Sequence, residues 1–236
     1  MSEQAPTNRP APAGLGRLRD LGVTWWRGTD REDPAAEADW AIEPDWTGTE
    51  PPGVIEARET QREVIRTFCF VDICGFTEFT DTDGPHAALS ALAAFRTLVR
   101  DTTARRGVRV AKWLGDGALL VAVHSPPVVA AAVDIVSRAR GGRLEIRAAV
   151  ATGPALLFDG DDYIGGVVNL AARLCDMAGA NDVLVDAASR DELPDWIEAI
   201  PHRAVSVRGM GRITSIARLQ PIEGTEVPAT PIPPED

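Results

Sequence analysis

VIRTFCFVDI, residues 64–73, is the stretch around which the fold is predicted to form. Its β-branched and aromatic residues are typical of a buried β-strand. A carboxylate, Asp72, lies at the end of this strand and is followed by a short loop, residues 74–77, that contains Gly75. The strand is therefore expected in the middle of a sheet, with Asp72 at its C-terminal end.

Three helices are predicted from apolar periodicity. The segment 84–106 places Leu89, Leu92, Phe95 and Val99 on one helical face, and Gly107 ends it. A second helix is predicted from Pro126 to Arg140, because proline is favoured in the first turn of a helix. The third covers residues 167–178.

Short apolar runs predict the remaining strands. They lie at 108–114, 118–123, 144–151 (continued by 156–158), 183–185, 204–208 and 213–218. The order β-α-β-β-α-β is the ferredoxin-like arrangement. It predicts an α+β fold with an antiparallel sheet and helices on one face.

The composition divides the chain into three parts. Residues 1–62 are rich in Pro, Asp and Glu, and the sequence leaves open whether they form a flexible arm anchored by tryptophans or a regulatory segment. Residues 63–220 are predicted to form one compact domain, and residues 221–236 a disordered Pro-rich tail. Four of the six tryptophans lie in the first part: Trp25, Trp26, Trp40 and Trp46.

The net charge of −11 and the pI near 4.8 argue against a protein that binds a nucleic-acid polymer. No apolar run approaches the roughly 20 residues of a membrane span, and the N-terminus lacks the features of a signal peptide. The three cysteines have no metal-type spacing. These features predict a cytoplasmic protein with reduced thiols.

Two carboxylates are candidates for metal binding. Asp72 ends the buried strand, and Asp116 lies in the tight turn Gly115-Asp116-Gly117 between two other strands. Across adjacent strands they could meet and bind Mg²⁺, which prefers carboxylates and substrate phosphates. Taken singly, each has an ordinary alternative: Asp72 as a helix cap and Asp116 as a turn residue.

Further polar residues lie near the helices. The backbone of Phe76 and Thr77, in the loop after Asp72, could bind a phosphate group. Asn169 and Arg173 are four residues apart and share one face of the third helix. The alternative for this pair is a surface stripe without a role.

Three motifs together resemble the class III nucleotide cyclases, the catalytic domain of adenylate and guanylate cyclases. They are FVDICGFT (70–77), KWLGDG (112–117) and DYIGGVVNLAARL (162–174), and the resemblance covers about residues 64–219. It implies conversion of ATP to 3′,5′-cyclic AMP and pyrophosphate, with two Mg²⁺ or Mn²⁺ ions per active site. It also implies a role in signal transduction.

The resemblance assigns roles to individual residues. It implies metal ligation by Asp72, Asp116 and the carbonyl of Ile73, and adenine selection by Lys112 and Asp162. Lys112 is the only lysine among 24 Lys and Arg residues. An ammonium can donate to adenine N1, and a carboxylate can accept from the N6 amino group, whereas guanine presents the opposite pattern.

The resemblance also implies roles around the phosphates. Asn169 would orient the ribose, and Arg173 would stabilise charge on the α-phosphate. Phe76 and Thr77 would contact the triphosphate, as would Arg208, which lies where the family usually has Lys.

In this family the active site lies between two catalytic domains, so the resemblance implies a homodimer. Two other functions stay open. One is a cyclase for another nucleotide, such as a guanylate cyclase or a pyrimidine cyclase of antiphage defence. The other is a non-catalytic, cyclase-like module that binds nucleotide. Degenerate modules typically lose a metal-binding Asp or the Asn/Arg pair, and all four are present here.

Overall fold

A computed structural model describes residues 62–158, 162–207, 211–213 and 215–228. Apart from Arg62, the predicted N-terminal extension lies outside these ranges, so its boundaries and role stay predictions. None of the helices in the described ranges is both long and apolar enough to cross a bilayer.

The described chain contains four helices. They are α1 (Phe76–Asp83), α2 (Pro85–Arg105), α3 (Ser125–Ala139) and α4 (Gly166–Met177). The three helices predicted from the sequence correspond to α2, α3 and α4. Helix α1 was not predicted, because it is only eight residues long, FTEFTDTD, is rich in Thr and Asp, which are weak helix formers, and buries no side chain.

The strands are β1 (Arg62–Ile73), β2 (Arg109–Leu114), β3 (Gly117–Ala122), β4 (Ile146–Phe158), β5 (Asp162–Ile164), β6 (Val183–Val185), β7 (Ile197–Pro201), β8 (Val205–Val207), β9 (Gly211–Ile213) and β10 (Ala217–Pro221). Strands β5 and β7 were not predicted, and the single strand predicted at 213–218 overlaps the end of β9 and the start of β10. Strands β5 and β7 are both short, and each is defined by its pairing with a neighbouring strand, β5 with β4 and β7 with β10, rather than by its own sequence.

The main sheet has the order β2-β3-β1-β4-β6-β10-β7, with β5 paired to β4, while β8 and β9 form a separate hairpin. Strand β1 is antiparallel to both of its neighbours, β3 and β4. The predicted α+β fold with an antiparallel βαββαβ core is thereby confirmed. One parallel pair, β4 with β6, extends that core.

Helices cover both faces of the sheet, whereas the ferredoxin-like order of elements predicts them on one; that part of the prediction is wrong. Cys69 and Val71 of β1 belong to the apolar cluster beneath α2 and α3. Phe68 and Phe70 alternate with them and belong to a second cluster beneath α4. Because β1 is apolar on both faces, a helix on each side is needed to bury it.

The C-terminal residues described here contact the domain. Pro221 belongs to β10, and Val227 packs against the first apolar cluster. Beneath them, Arg106 donates from Nε and Nη2 to Asp134 Oδ2 at 3.2 and 2.9 Å, and from Nη2 to the carbonyl of Pro228 at 2.8 Å. The part of the predicted tail up to Pro228 therefore lies against the domain.

The Arg106–Asp134 pair gives a test of the fold. Both side chains are almost fully buried, so Asp134→Ala leaves a buried guanidinium without its carboxylate and should lower the free energy of unfolding by about 3–5 kcal/mol. Chemical denaturation measures this loss. Asp182→Ala is the control, because its ion pair with Arg218 is partly exposed and is expected to contribute about 1 kcal/mol or less. Equal losses in the two variants would contradict the expectation.

Candidate active site

Two carboxylates lie at the same end of adjacent strands. Asp72, near the end of β1, is directly opposite Gly117, the first residue of β3. Asp116 precedes Gly117 in the β2–β3 turn, and the amide of Ile73 donates to the Asp116 carbonyl at 3.3 Å. The turn closes tightly because Gly115 adopts a left-handed conformation, with φ of 70°. The antiparallel register of β1 and β3 thus brings Asp72 and Asp116 together.

The charge of Asp72 is balanced by an arginine on the next strand. Arg147 of β4 lies opposite Asp72, and its Nε and Nη2 donate to Asp72 Oδ2 at 3.1 and 2.8 Å. Burial raises the pKa of Asp72 above its ordinary value, and repulsion from Asp116 and Asp176 adds to this, whereas Arg147 acts in the opposite direction. Bringing these carboxylates together therefore has an electrostatic cost that a cation would relieve.

The donor atoms at this edge fit a hard divalent cation. Both arginine bonds use Oδ2 of Asp72, so Oδ1 is not engaged by Arg147. Carboxylate oxygens of Asp72 and Asp116 and the carbonyl of Ile73 are the kind of ligand that Mg²⁺ and Mn²⁺ take. Within the described ranges, no group of three or more His, Cys, Asp or Glu side chains is arranged to bind a metal. A cation here would therefore need further oxygens, such as those of a phosphate group.

The loop after β1 leads directly into helix α1. Gly75 precedes the helix in a left-handed conformation, and the amide of Cys74 donates to the Glu145 carbonyl at 2.8 Å. Phe76 and Thr77 form the first turn of α1, where backbone N–H groups have no acceptor within the helix. The fold therefore places these two amides immediately after the Asp72 carboxylate.

Lys112 and Asp162 form an ion pair between β2 and β5. Their side chains are 47% and 45% exposed, so both remain accessible to a ligand. Lys112 lies opposite Leu119, a residue of the cluster beneath α4, so it lies on the α4 face of the sheet. The structure thus joins two residues that are 50 positions apart in the sequence.

Asn169 and Arg173 are exposed on α4. The opposite side of this helix buries Ala171 and Leu174 against the sheet. The two polar side chains therefore face away from the sheet on which the Asp72 carboxylate lies. Arg208 lies outside the described residues.

Sequence reasoning missed Arg147. The sequence contains one indication of its importance: Arg147 is a charged residue within LEIRAAVA, residues 144–151, a strand that is otherwise mostly apolar. Its meaning depends on the β1–β4 register, which places Arg147 opposite Asp72. Arg147 also donates from Nη1 to the Asp176 carbonyl at 2.9 Å, which links the carboxylate site to the C-terminal end of α4.

Solved structures define the class of protein with this fold. The adenylyl cyclase CyaB of P. aeruginosa matches with a TM-score of 0.60 and 24% identity, over 67% of this chain and 95% of that one. The guanylate cyclase domain of RhGC from Catenaria anguillulae also matches with a TM-score of 0.60, at 21% identity, over 68% of this chain and 98% of that one. The described domain therefore has the fold of a class III nucleotide cyclase domain, as the sequence motifs predict.

The chain is also similar in sequence to curated proteins, one of which is named an adenylate cyclase. The chain is 36% identical to the uncharacterized protein Rv2212 of Mycobacterium tuberculosis over 153 residues. The aligned region covers 64% of this chain and 40% of the relative. It is 33% identical over 144 residues to an adenylate cyclase of Streptomyces coelicolor, over 59% of this chain and 38% of that one. The chain thus spans about two fifths of the length of these relatives. No protein-family model matches it.

The close approach of Gly117 to Asp72 gives a test of the carboxylate site. A Cβ atom at residue 117 would lie 2.9 Å from the Val71 carbonyl and 3.2 Å from Asp72 Oδ1. Gly117→Ala should therefore displace Asp72 and weaken Mn²⁺ binding by about tenfold, which titration calorimetry would detect. Gly153→Ala is the control, because the atoms nearest to its Cβ would belong to the side chain of Val167 and not to the carboxylate site. Unchanged Mn²⁺ affinity in Gly117→Ala would contradict a metal site at Asp72.

Proposed function

We propose that the protein is an adenylate cyclase, which converts ATP to 3′,5′-cyclic AMP and pyrophosphate in the cytoplasm. In this reaction the ribose 3′-oxygen forms a bond to the α-phosphorus, the bond from that phosphorus to pyrophosphate breaks, and the hydroxyl proton is released. The observation that carries the proposal is the contact between Lys112 and Asp162. The curated relatives named adenylate cyclase support it.

The Lys112–Asp162 pair matches the edge of adenine. The ammonium can donate to adenine N1, and the carboxylate can accept from the N6 amino group. Guanine presents a donor at N1 and an acceptor at O6, so the same pair would face two mismatched groups. The fold alone does not select the base, because guanylyl cyclases share it.

The carboxylate edge supports phosphoryl chemistry. Asp72, Asp116 and the Ile73 carbonyl would hold two Mg²⁺ or Mn²⁺ ions. When bound, such ions supply the positive charge that activates the 3′-hydroxyl and neutralises the pyrophosphate. The guanidinium of Arg147, which donates to Asp72 at 2.8 Å, would also be within the same site to donate to a phosphate oxygen of the substrate. The amides of Phe76 and Thr77 can donate to the same triphosphate.

Asn169 and Arg173 would act on the ribose and the α-phosphate of a nucleotide shared between two copies of the chain. Their exposure on the outer face of α4 supports this, since it leaves both side chains free to enter a partner's site. An apolar patch on the neighbouring strands β1, β4 and β5 supports an interface between copies. Its exposed members are Ile65, Leu156, Phe158 and Ile164.

A nucleotide-product assay tests the function. The protein would be incubated with Mn²⁺ and separately with ATP, GTP, CTP or UTP, and the products separated by chromatography. Cyclic AMP from ATP is expected, with little product from the other nucleotides and none from Asp72→Ala. A different cyclic nucleotide would assign another cyclase. Absence of every cyclic product would favour the non-catalytic nucleotide-binding module.

Mixing two inactive variants tests the shared site. Asp72→Ala and Arg173→Ala should each be inactive alone, because each damages both sites of a homodimer. Mixed in equal amounts, they should recover up to about one quarter of wild-type activity, since half of the dimers carry one intact site. Activity that stays absent after prolonged mixing would contradict a site shared between chains.

A further inference from the structure

A second contact lies beside the Lys112–Asp162 pair. Tyr163, the only tyrosine of the chain, follows Asp162 on β5, and Arg109 precedes Lys112 on β2. Nη2 of Arg109 lies 3.5 Å from the hydroxyl of Tyr163, and the guanidinium carbon lies 5.9 Å from the centre of the tyrosine ring. The ring packs edge-on against the buried Phe68 at 5.1 Å. Strands β2 and β5 are thus joined by two contacts.

A β-bulge places Arg109 beside Lys112. In a regular strand, residues three apart lie on opposite faces. The β2–β3 register shifts between Val110 and Lys112, so that Arg109 lies opposite Val121 and Lys112 opposite Leu119. Val121 and Leu119 both belong to the cluster beneath α4, so both basic residues lie on that face. Bulges commonly redirect a side chain next to an active site.

Strand β5 depends on these contacts for its position. It has three residues and pairs with β4 alone. Among the described residues, Arg109 has no carboxylate within ion-pair distance, so Tyr163 is its observed partner there. The buried Phe68 fixes one side of the Tyr163 ring, and Arg109 contacts it from β2. These contacts hold the residue adjacent to Asp162.

We propose that Arg109 and Tyr163 are positioning residues for base selection. Their contact holds β5 against the bulged β2 and thereby sets the separation of Lys112 and Asp162. A nucleotide base must engage both groups at once, so a pair held in place binds it at a smaller ordering cost. This inference rests on the proposed nucleotide cyclase function and deepens it.

The test compares steady-state kinetics of full-length variants with ATP and GTP. Arg109→Gln should raise the KM for ATP about 3- to 10-fold and lower the ATP-to-GTP ratio of kcat/KM by a similar factor, with kcat changed less than about 2-fold. Tyr163→Phe, which keeps the ring on Phe68, should give a smaller shift in the same direction. Arg109→Lys, which keeps the charge, should restore part of the ratio.

Arg100→Gln is the matched control. Arg100 also lies over an aromatic ring of β2, at 5.2 Å from the centre of Trp113. Trp113 packs against the cluster on the opposite face of the sheet. Arg100→Gln should therefore leave both KM and the ATP-to-GTP ratio unchanged.

The single tyrosine allows a structural readout that does not depend on turnover. Tyrosine labelled with ¹³C at Cζ gives one protein signal, from Tyr163. That signal should shift in Arg109→Gln and stay unchanged in Arg100→Gln. An unchanged signal in Arg109→Gln would overturn the contact itself.

The outcomes separate this inference from the proposed function. If the wild-type protein makes cyclic AMP while Arg109→Gln keeps the wild-type KM and base ratio, the positioning role is wrong and the function stands. A fall in kcat without a change in KM or base ratio would also refute it. If the wild-type protein makes no cyclic nucleotide, both fail. If Arg109→Gln does not fold, the KM for ATP and the ATP-to-GTP ratio of Tyr163→Phe decide whether the contact has a positioning role.

Discussion

The pairing of β1 with its two neighbours is the constraint on which the rest of the structure depends. Strand β1 pairs with β4 along all 12 of its residues and with β3 along its second half. Its alternating side chains fill both apolar clusters, so helices must cover both faces of the sheet. The same pairing determines which residues lie opposite Asp72, and hence the composition of the candidate active site.

The arrangement of charges around Asp72 follows from the register of β1 with β3 and β4. Gly117 and Arg147 lie on either side of Asp72, on β3 and β4. Gly117 has no side chain and so allows β3 to lie close to the Asp72 carboxylate, and Arg147 balances the charge of that carboxylate. Asp116 adds a second negative charge at the same edge. A half-buried cluster of this kind is poorly stabilised by protein alone, and a bound cation with its phosphate ligand would complete it. The strand register that brings Asp72, Asp116 and Arg147 together is therefore also what would create the proposed metal site.

Much of this could be predicted from the sequence because it is local. The β-branched and aromatic run of β1 indicated a buried central strand, and the motifs around Asp72, Asp116 and Asn169 indicated the class of protein. Helix α1 could not be predicted, because its eight residues are rich in Thr and Asp, which are weak helix formers. Strand β5 could not either, because three residues become a strand only through their pairing with β4. Arg147 was missed because its role exists only opposite Asp72.

The sequence by itself determined the α+β class, the order of the core elements and the residues that resemble a cyclase, since periodicity and motif spacing are properties of the chain. The tertiary structure alone decided the Asp72–Arg147 pair, the second helical layer and the contacts of Arg109 and Lys112 with β5. The physical reason is that strand register and a β-bulge determine which distant residues share a face. Without the bulge in β2, Arg109 and Lys112 would lie on opposite faces of the sheet, and no local pattern in the sequence records that bulge.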